Sequence, residues 1–403
     1  MILEPLKTLK QGNQIYLDHN ATTPVAEVVA HKVNEWLKQW GNASSIHQSG
    51  RGPKTLIRDA RRALSEMFDC QALEIVFTGG GSEANNLVLK GLYEHLVKTH
   101  QLTERPRMIT SQVEHPSVLK TMEFMASKGV DVVTIPVCRY GKINLEQLEQ
   151  ALKEKPTSLV SVMFANNETG SLFPIQKITE LAHQYGALMH SDMVQALGKI
   201  PFSLKELNVD FASFSAHKFY ALKGIGALYC KKGSQLTPLI HGGAQERGRR
   251  AGTENTLAIA AFGEMARHKD EVASRAASIT ELRDHLEKEI LARISDVEVT
   301  GAGVDRLANS LSLLIPGVDG ETLLMNLDMK GFSVSTGAAC SSGSPEPSPV
   351  LIAMGLSREE AQSSLRLGLG WGTTREEVDL FIEQLVVTVK RLRSFQHGMK
   401  ANG

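Results

Sequence analysis

A run of three glycines between a strand-like and a helix-like segment gives the first chemical clue. In Glu74-Ile-Val-Phe-Thr-Gly-Gly-Gly-Ser-Glu-Ala-Asn-Asn86, residues Gly79, Gly80 and Gly81 let backbone amides turn inward, and Ser82 stands where a helix N-cap is expected. Unpaired N–H groups and partial positive charge at a helix N-terminus suit a phosphate. Taken alone, the same residues equally describe a plain turn capped by serine. A Walker A loop needs Gly-Lys-Ser/Thr, whereas Gly81 is followed by Ser82-Glu83. A dinucleotide fingerprint is met only in its relaxed form, because Gly79-Gly-Gly-Ser-Glu-Ala84 ends in alanine. A small phosphate-bearing molecule is the stronger reading.

Other segments add to this site. Lys218, in Ser213-Phe-Ser-Ala-His-Lys-Phe219, is a candidate Schiff-base lysine, since an amine held in a partly desolvated pocket loses its proton readily and condenses with an aldehyde. Asp192, in His190-Ser-Asp-Met-Val-Gln195, is suited to pair with a pyridinium nitrogen, or else caps the next helix. Gln195 is placed to hydrogen-bond a ring oxygen. His115, in Val113-Glu-His-Pro116, can stack on a ring and move protons. Asn167, in Ala165-Asn-Asn-Glu-Thr-Gly170, is a further polar group at a strand end. An amine, an acid, a stacking base and a phosphate site are what pyridoxal 5'-phosphate (PLP) requires of its protein.

The elements that must position these groups follow an alternating pattern. The β-rich runs 75–78, 132–135, 159–164, 187–190, 211–214 and 225–229 are interleaved with helical stretches such as 83–99 and 117–128. This predicts a mostly parallel sheet flanked by helices, with the site beyond the carboxyl ends of its strands. A charged helical stretch, 257–294, leads into a different pattern: strands at 309–315 and 364–368, a short helix at 321–330, and a closing helix at 373–394 with acids early and bases late. The expected division is a large cofactor-binding domain, 15–256, and a smaller C-terminal α+β domain, 257–403, joined by residues 1–14. The Ser/Gly/Pro-rich stretch 341–349 reads as an exposed loop with Cys340 at its entrance.

Composition narrows the function classes. In 403 residues, Lys plus Arg and Asp plus Glu are equal at 44 each, so no basic excess argues for direct contact with nucleic acid. No apolar run is long enough for a membrane span, and the first residues do not form a secretory signal. Cys70, Cys138, Cys230 and Cys340 are far apart with no CxxC pair, which argues against a disulfide framework or a metal site and for a reducing cytoplasm. Cys70, Cys138 and Cys230 read as small buried hydrophobes. Cys340, flanked by turn residues, does not.

With these segments in view, the sequence resembles a known family. Asp18-His-Asn-Ala-Thr-Thr23, Thr78-Gly-Gly-Gly-Ser-Glu-Ala-Asn-Asn86, Ala165-Asn-Asn-Glu-Thr-Gly170, Ser215-Ala-His-Lys218 and Gly248-Arg-Arg-Ala-Gly-Thr253 are similar to cysteine desulfurases, in the class V aminotransferase-like group of fold-type I PLP enzymes. The resemblance implies that Lys218 tethers PLP and that His115 stacks on its ring. It implies that Asp192 faces the pyridine nitrogen while Asn167 and Gln195 contact ring substituents. Gly81, Ser82, Ser215 and His217 would hold the phosphate, and Thr253 would reach the neighbouring subunit's cofactor in a homodimer. Arg366 would bind the substrate carboxylate, a role suited to a guanidinium fork; otherwise it is a surface ion pair. Cys340 would take sulfur from L-cysteine as a persulfide and pass it to an acceptor protein, such as an iron–sulfur scaffold or a tRNA-thiolation protein, on the longer, mobile type of cysteine loop. The chain departs from the family pattern at Phe219-Tyr-Ala-Leu-Lys-Gly224, at its glycine-rich phosphate turn and at Gly370-Trp-Gly-Thr373. A selenocysteine lyase or other PLP lyase of the same fold, and an inactive scaffold binding sulfur-acceptor proteins, are the alternatives.

Overall fold

The computed structural model of the protein describes residues 7–9, 12, 14–104, 106–337 and 346–401. A two-residue strand, β1 (Ile15–Tyr16), precedes the helices Glu27–Leu37 and Gln48–Phe68. Then come β2 (Ile75–Thr78), β3 (Arg107–Ser111), β4 (Asp131–Ile135), β5 (Thr157–Ser161), β6 (Leu188–Asp192), β7 (Phe211–Ser215) and β8 (Gly226–Cys230). They form one seven-stranded sheet in the order β2-β8-β7-β6-β5-β3-β4. Strands β3 to β7 pair in parallel. β8 is antiparallel to both β7 and β2, so β2 again points the same way as β7. The carboxyl ends of β2, β3, β5, β6 and β7 therefore open on one edge of the sheet, and every chemistry-bearing segment up to residue 218 leaves from that edge. Strands β5, β7 and β8 are buried along their whole length, as expected of strands covered on both faces.

A second group holds β9 (Glu298–Val299), β10 (Ser310–Leu314), β11 (Phe332–Ser333) and β12 (Ser364–Gly368). β10 lies between β9 and β12 in an antiparallel three-stranded sheet, while β11 pairs in parallel with β1. The helices Lys269–Arg293 and Arg375–Ala401 pack with it. Its core gathers Leu286, Ile290, Leu311, Leu365, Leu367 and Phe381.

The cores do not divide where the sequence pattern suggested. Ile15 and Leu17 join the second core, while Ala258 to Ala266 and Val272 join the first. The stretch 257–294 is two helices, Thr256–Arg267 and Lys269–Arg293, with a break at His268. The first of them lies against Gln48–Phe68 so closely that a Cβ on Gly263 would sit 2.4 Å from that of Ala60. Along the second helix the core changes between Val272 and Ile279, and Leu314 and the apolar residues from Val350 to Ala361 return to the first core.

Candidate active site

The glycine turn joins β2 to the helix Gly81–Lys98. Gly80, at φ 153°, is the residue before the helix, so the helix starts two residues earlier than the sequence suggested and Ser82 is its second residue, not its cap. A Cβ on Gly81 would lie 2.7 Å from Val194 Cγ2 and 3.5 Å from Ser215 Cβ, which places the turn directly against the ends of β6 and β7. The Gly79 N–H donates to Glu83 Oε2 at 2.8 Å, and Glu83 is held by Arg250 at 2.9 Å. The turn is thus pinned from the Arg247–Thr253 side, and of the arginines there Arg250 borders the site while Arg249 bonds the carbonyls of Leu73 and Ile75.

Lys218 follows β7 in the short turn Ala216–Lys218. Its amine donates to the carbonyls of Asn20 at 2.6 Å and Ala21 at 2.5 Å. Burial, reinforced by the Arg366 charge and opposed by Asp18 and Asp192, lowers its pKa to about 8. Asp192, the last residue of β6, is buried, with Oδ2 accepting from Asn85 Nδ2 at 2.7 Å and Oδ1 from the Val194 N–H at 3.0 Å. Gln195, also buried, donates from Nε2 to the Asn20 carbonyl at 2.8 Å. Asn20 and Asn85 are site residues that the sequence reading quoted inside motifs without a role.

His115 begins the helix Pro116–Ser127, and its Nδ1 accepts from the Ser117 N–H at 3.1 Å, which leaves the proton of the neutral ring on Nε2. It is exposed to the cleft, yet desolvation lowers its pKa, with Asp192 opposing and Lys218 assisting. His217 Nδ1 meets Thr22 Oγ1 at 3.0 Å, and burial together with Lys218 and Lys223 brings its pKa to about 4. Ser215 is buried at the end of β7 beside Gly81.

Arg366 comes from β12 and is 5% exposed, so it is not a surface ion pair. Nη2 pairs with Asp18 at 2.9 Å and Nη1 donates to the Asn167 carbonyl at 3.3 Å. Its Nε is buried without a partner among the described residues. A buried guanidinium with one donor left over is ready for a second anion. Asn167 thus contributes its carbonyl to Arg366, and also accepts there from Asn20 Nδ2 at 3.3 Å.

Thr253 is exposed on the segment between Gln245–Gly248 and the helix Thr256–Arg267. Cys340 lies outside the described residues. Cys230 is buried and Cys70 half-buried, but Cys138 is exposed, because the turn between Val137 and Ile143 carries its side chain outward. Trp371 stacks on Tyr220 with ring centroids 3.6 Å apart, and Arg275 lies 5.7 Å from its ring, so this departure from the family pattern is filled by packing.

The residues present fit PLP. The glycine turn lies against Ser215 at the start of a helix, a buried carboxylate is fixed through both oxygens, an amine has depressed proton affinity, and a buried guanidinium holds one unused donor among the described residues.

The comparisons agree. The model for aminotransferase class-V matches residues 15–381. A cysteine desulfurase IscS of Dictyoglomus turgidum is 42% identical, covering 94% of this chain and 96% of its own. The crystal structure of a NifS-like protein from Rickettsia africae is 35% identical with a TM-score of 0.84, over 94% of this chain and all 100% of the other. The structure of SspA in complex with cysteine is 32% identical with a TM-score of 0.77, over 88% of this chain and 98% of the other. With its glycine turn, Lys218 and Asp192 all opening on one sheet edge, the chain belongs to the class-V aminotransferase family, among the PLP-dependent cysteine desulfurases.

Proposed function

We propose that this site removes the sulfur of L-cysteine, releases L-alanine and leaves the sulfur on Cys340 as a persulfide. The balance closes: the substrate's Cβ–S bond breaks, Cβ gains a hydrogen, and an S–S bond forms to Cys340, so Cβ is reduced and the two sulfurs are oxidised. The observation that carries the reading is the convergence of Lys218, Gln195 and Arg366 on the Asp18–Ala21 segment, beside the buried Asp192 carboxylate.

Bound here, PLP supplies an electron-withdrawing ring beside the substrate's α-carbon. Asp192 holds the ring-nitrogen proton, and Asn85 keeps that carboxylate aimed. Gly81, Ser82, Ser215 and His217 hold the phosphate, with His217 acting as a neutral donor. Arg366 takes the substrate carboxylate on its unused Nε face and so fixes where the α-hydrogen points. With a pKa of about 8, roughly a tenth of free Lys218 amines are unprotonated at pH 7, enough to accept and return that proton. His115 contacts the ring and takes the proton of the Cys340 thiol, whose ordinary pKa of about 8.5 leaves it mostly protonated near neutrality. Asn167 and Gln195 contact ring substituents.

The working unit is a homodimer in which Thr253 reaches the other subunit's phosphate, and Cys340 delivers its sulfur to an acceptor protein in the cytoplasm, such as an iron–sulfur scaffold or a tRNA-thiolation protein. Purified protein with PLP and L-cysteine should form alanine and a Cys340 peptide heavier by one sulfur. Cys340→Ser should keep the visible cofactor band and bind cysteine but release almost no sulfide, and full sulfide release by that variant would refute the assignment.

A further inference from the structure

The turn after β6 carries a second lysine into the interior. Gly198, at φ +71°, folds back so closely that a Cβ there would lie 2.3 Å from the ring of Phe219. Lys199 is thereby aimed at the site. Its Nζ donates to Gln195 Oε1, and at 3.3 Å to Asn20 Oδ1. Burial, with the Lys218 and Arg366 charges, lowers its pKa well below the ordinary value, Asp18 opposing. Whether charged or neutral, the amine has a hydrogen for each oxygen.

These oxygens differ in what else holds them. Asn20 Oδ1 also accepts from Asn309 Nδ2 at 3.1 Å. Gln195 Oε1 has its donor in Lys199. At the other end of that amide, Gln195 Nε2 donates to the Asn20 carbonyl at 2.8 Å. A carbonyl accepts only, so the nitrogen must face Asn20 and the oxygen must face Lys199. One N–H of Nε2 then remains for a ligand.

We propose that Lys199 is a positioning residue that fixes the orientation of the Gln195 amide, so that Gln195 presents an N–H, not its carbonyl oxygen, to the ring oxygen of the cofactor. This rests on the reading that Gln195 contacts PLP. With methionine at 199, Oε1 is left buried without its donor, and the amide, then held only by the Asn20 carbonyl, shifts to relieve it and draws its second N–H away from the ring.

The test uses reconstituted holoenzyme and two readouts that are not turnover: PLP affinity of the apoprotein, and the pH midpoint of the visible absorbance band. Lys199→Met should weaken PLP binding roughly tenfold, the equivalent of one lost buried hydrogen bond. It should also raise the pH midpoint, because an external donor to the ring oxygen no longer competes with the neighbouring nitrogen for it. Lys199→Gln, which can donate to the same oxygen, should recover most of both effects. In a Gln195→Ala background, Lys199→Met should add nothing. A Lys199→Met enzyme with the parental midpoint and affinity overturns the proposal, as does an effect undiminished in the Gln195→Ala background. If Lys199→Met is not recovered folded, Lys199→Gln decides: a midpoint between those of the parent and Gln195→Ala supports the proposal, and one beyond Gln195→Ala overturns it. A parent protein that takes up no PLP would instead sink the functional reading itself.

Discussion

Replacing Arg366 by lysine separates substrate recognition from cofactor chemistry. The guanidinium spends one nitrogen on Asp18 at 2.9 Å and one on the Asn167 carbonyl at 3.3 Å, and keeps a buried Nε unused. An ammonium has a single nitrogen: it can hold Asp18 or meet a substrate carboxylate, but it cannot form the fork. Losing a charge-assisted hydrogen bond of this kind costs about 1.5–3 kcal/mol, which at 1.4 kcal/mol per decade is a KM for cysteine roughly 10–150 times higher. The Asp18 partner keeps a cation nearby, so the fold and the visible PLP band should survive. The assay is sulfide release with a thiol reductant against cysteine concentration, run beside cysteamine, which lacks the carboxylate and would leave ethylamine in place of alanine. The parent enzyme should prefer cysteine by about the same factor, and Arg366→Lys should erase most of that preference while cysteamine itself reacts much as before. An unchanged ratio between the two substrates would mean that the carboxylate is held elsewhere.

Three further outcomes follow from single contacts. In the apoprotein, reductive methylation of Lys218 should titrate with a midpoint near 8, against about 10.4 for an ordinary lysine, and Arg366→Gln should raise that midpoint by removing a neighbouring positive charge. Asn85→Ala should cost about 1–3 kcal/mol in chemical denaturation by stripping a donor from buried Asp192, and Asn85→Asp should cost more, because it sets a second acid against that carboxyl in place of a donor. Glu168, buried and hydrogen-bonded by Ser348, has its pKa raised by desolvation from 4.5 to about 7, so the folded state holds a proton that the unfolded chain releases. Its contribution to stability should therefore be lost as pH rises from about 4.5 to 7, on the order of 3 kcal/mol at most, and Glu168→Gln should flatten that part of the stability–pH curve.

The residues with obvious chemistry were legible because each sits at the end of a β-rich run, and the parallel arrangement of those runs sends their ends to one edge. Asp192, Lys218 and Gln195 could be placed this way from type and position alone. Their supports could not. Asn85 meets Asp192 across 107 residues of sequence, and the Asn20 carbonyl meets Lys218 across 198, so nothing local announces either contact. Ser82 has the chemistry of a cap but stands two positions too late; the helix begins after Gly80. The domain boundary was placed at 256/257 because charge hides the break at His268, and because the apolar residues of Thr256–Arg267 match the first core only once Gln48–Phe68 lies beside them. Cys138 is exposed where its sequence context reads as buried, because a cysteine after an apolar run looks the same whether the following turn points in or out.

The segment 18–23 explains why the two cores can act on one substrate. Asp18 holds Arg366, which comes from β12 in the second group of strands. The next-but-one residue, Asn20, accepts from Lys218 and Gln195 of the first. Its side chain reaches back to Ser310 at 2.8 Å and Asn309 at 3.1 Å, within and just before β10. A buried polar network tolerates little slack, because each unpaired group costs its full desolvation. The distance between the Lys218 amine and the Arg366 guanidinium is therefore tied to a few hydrogen bonds on one short stretch of chain. That is the arrangement a reaction at the α-carbon needs, since one misplaced anchor would turn the α-hydrogen away from Lys218 without loosening the substrate.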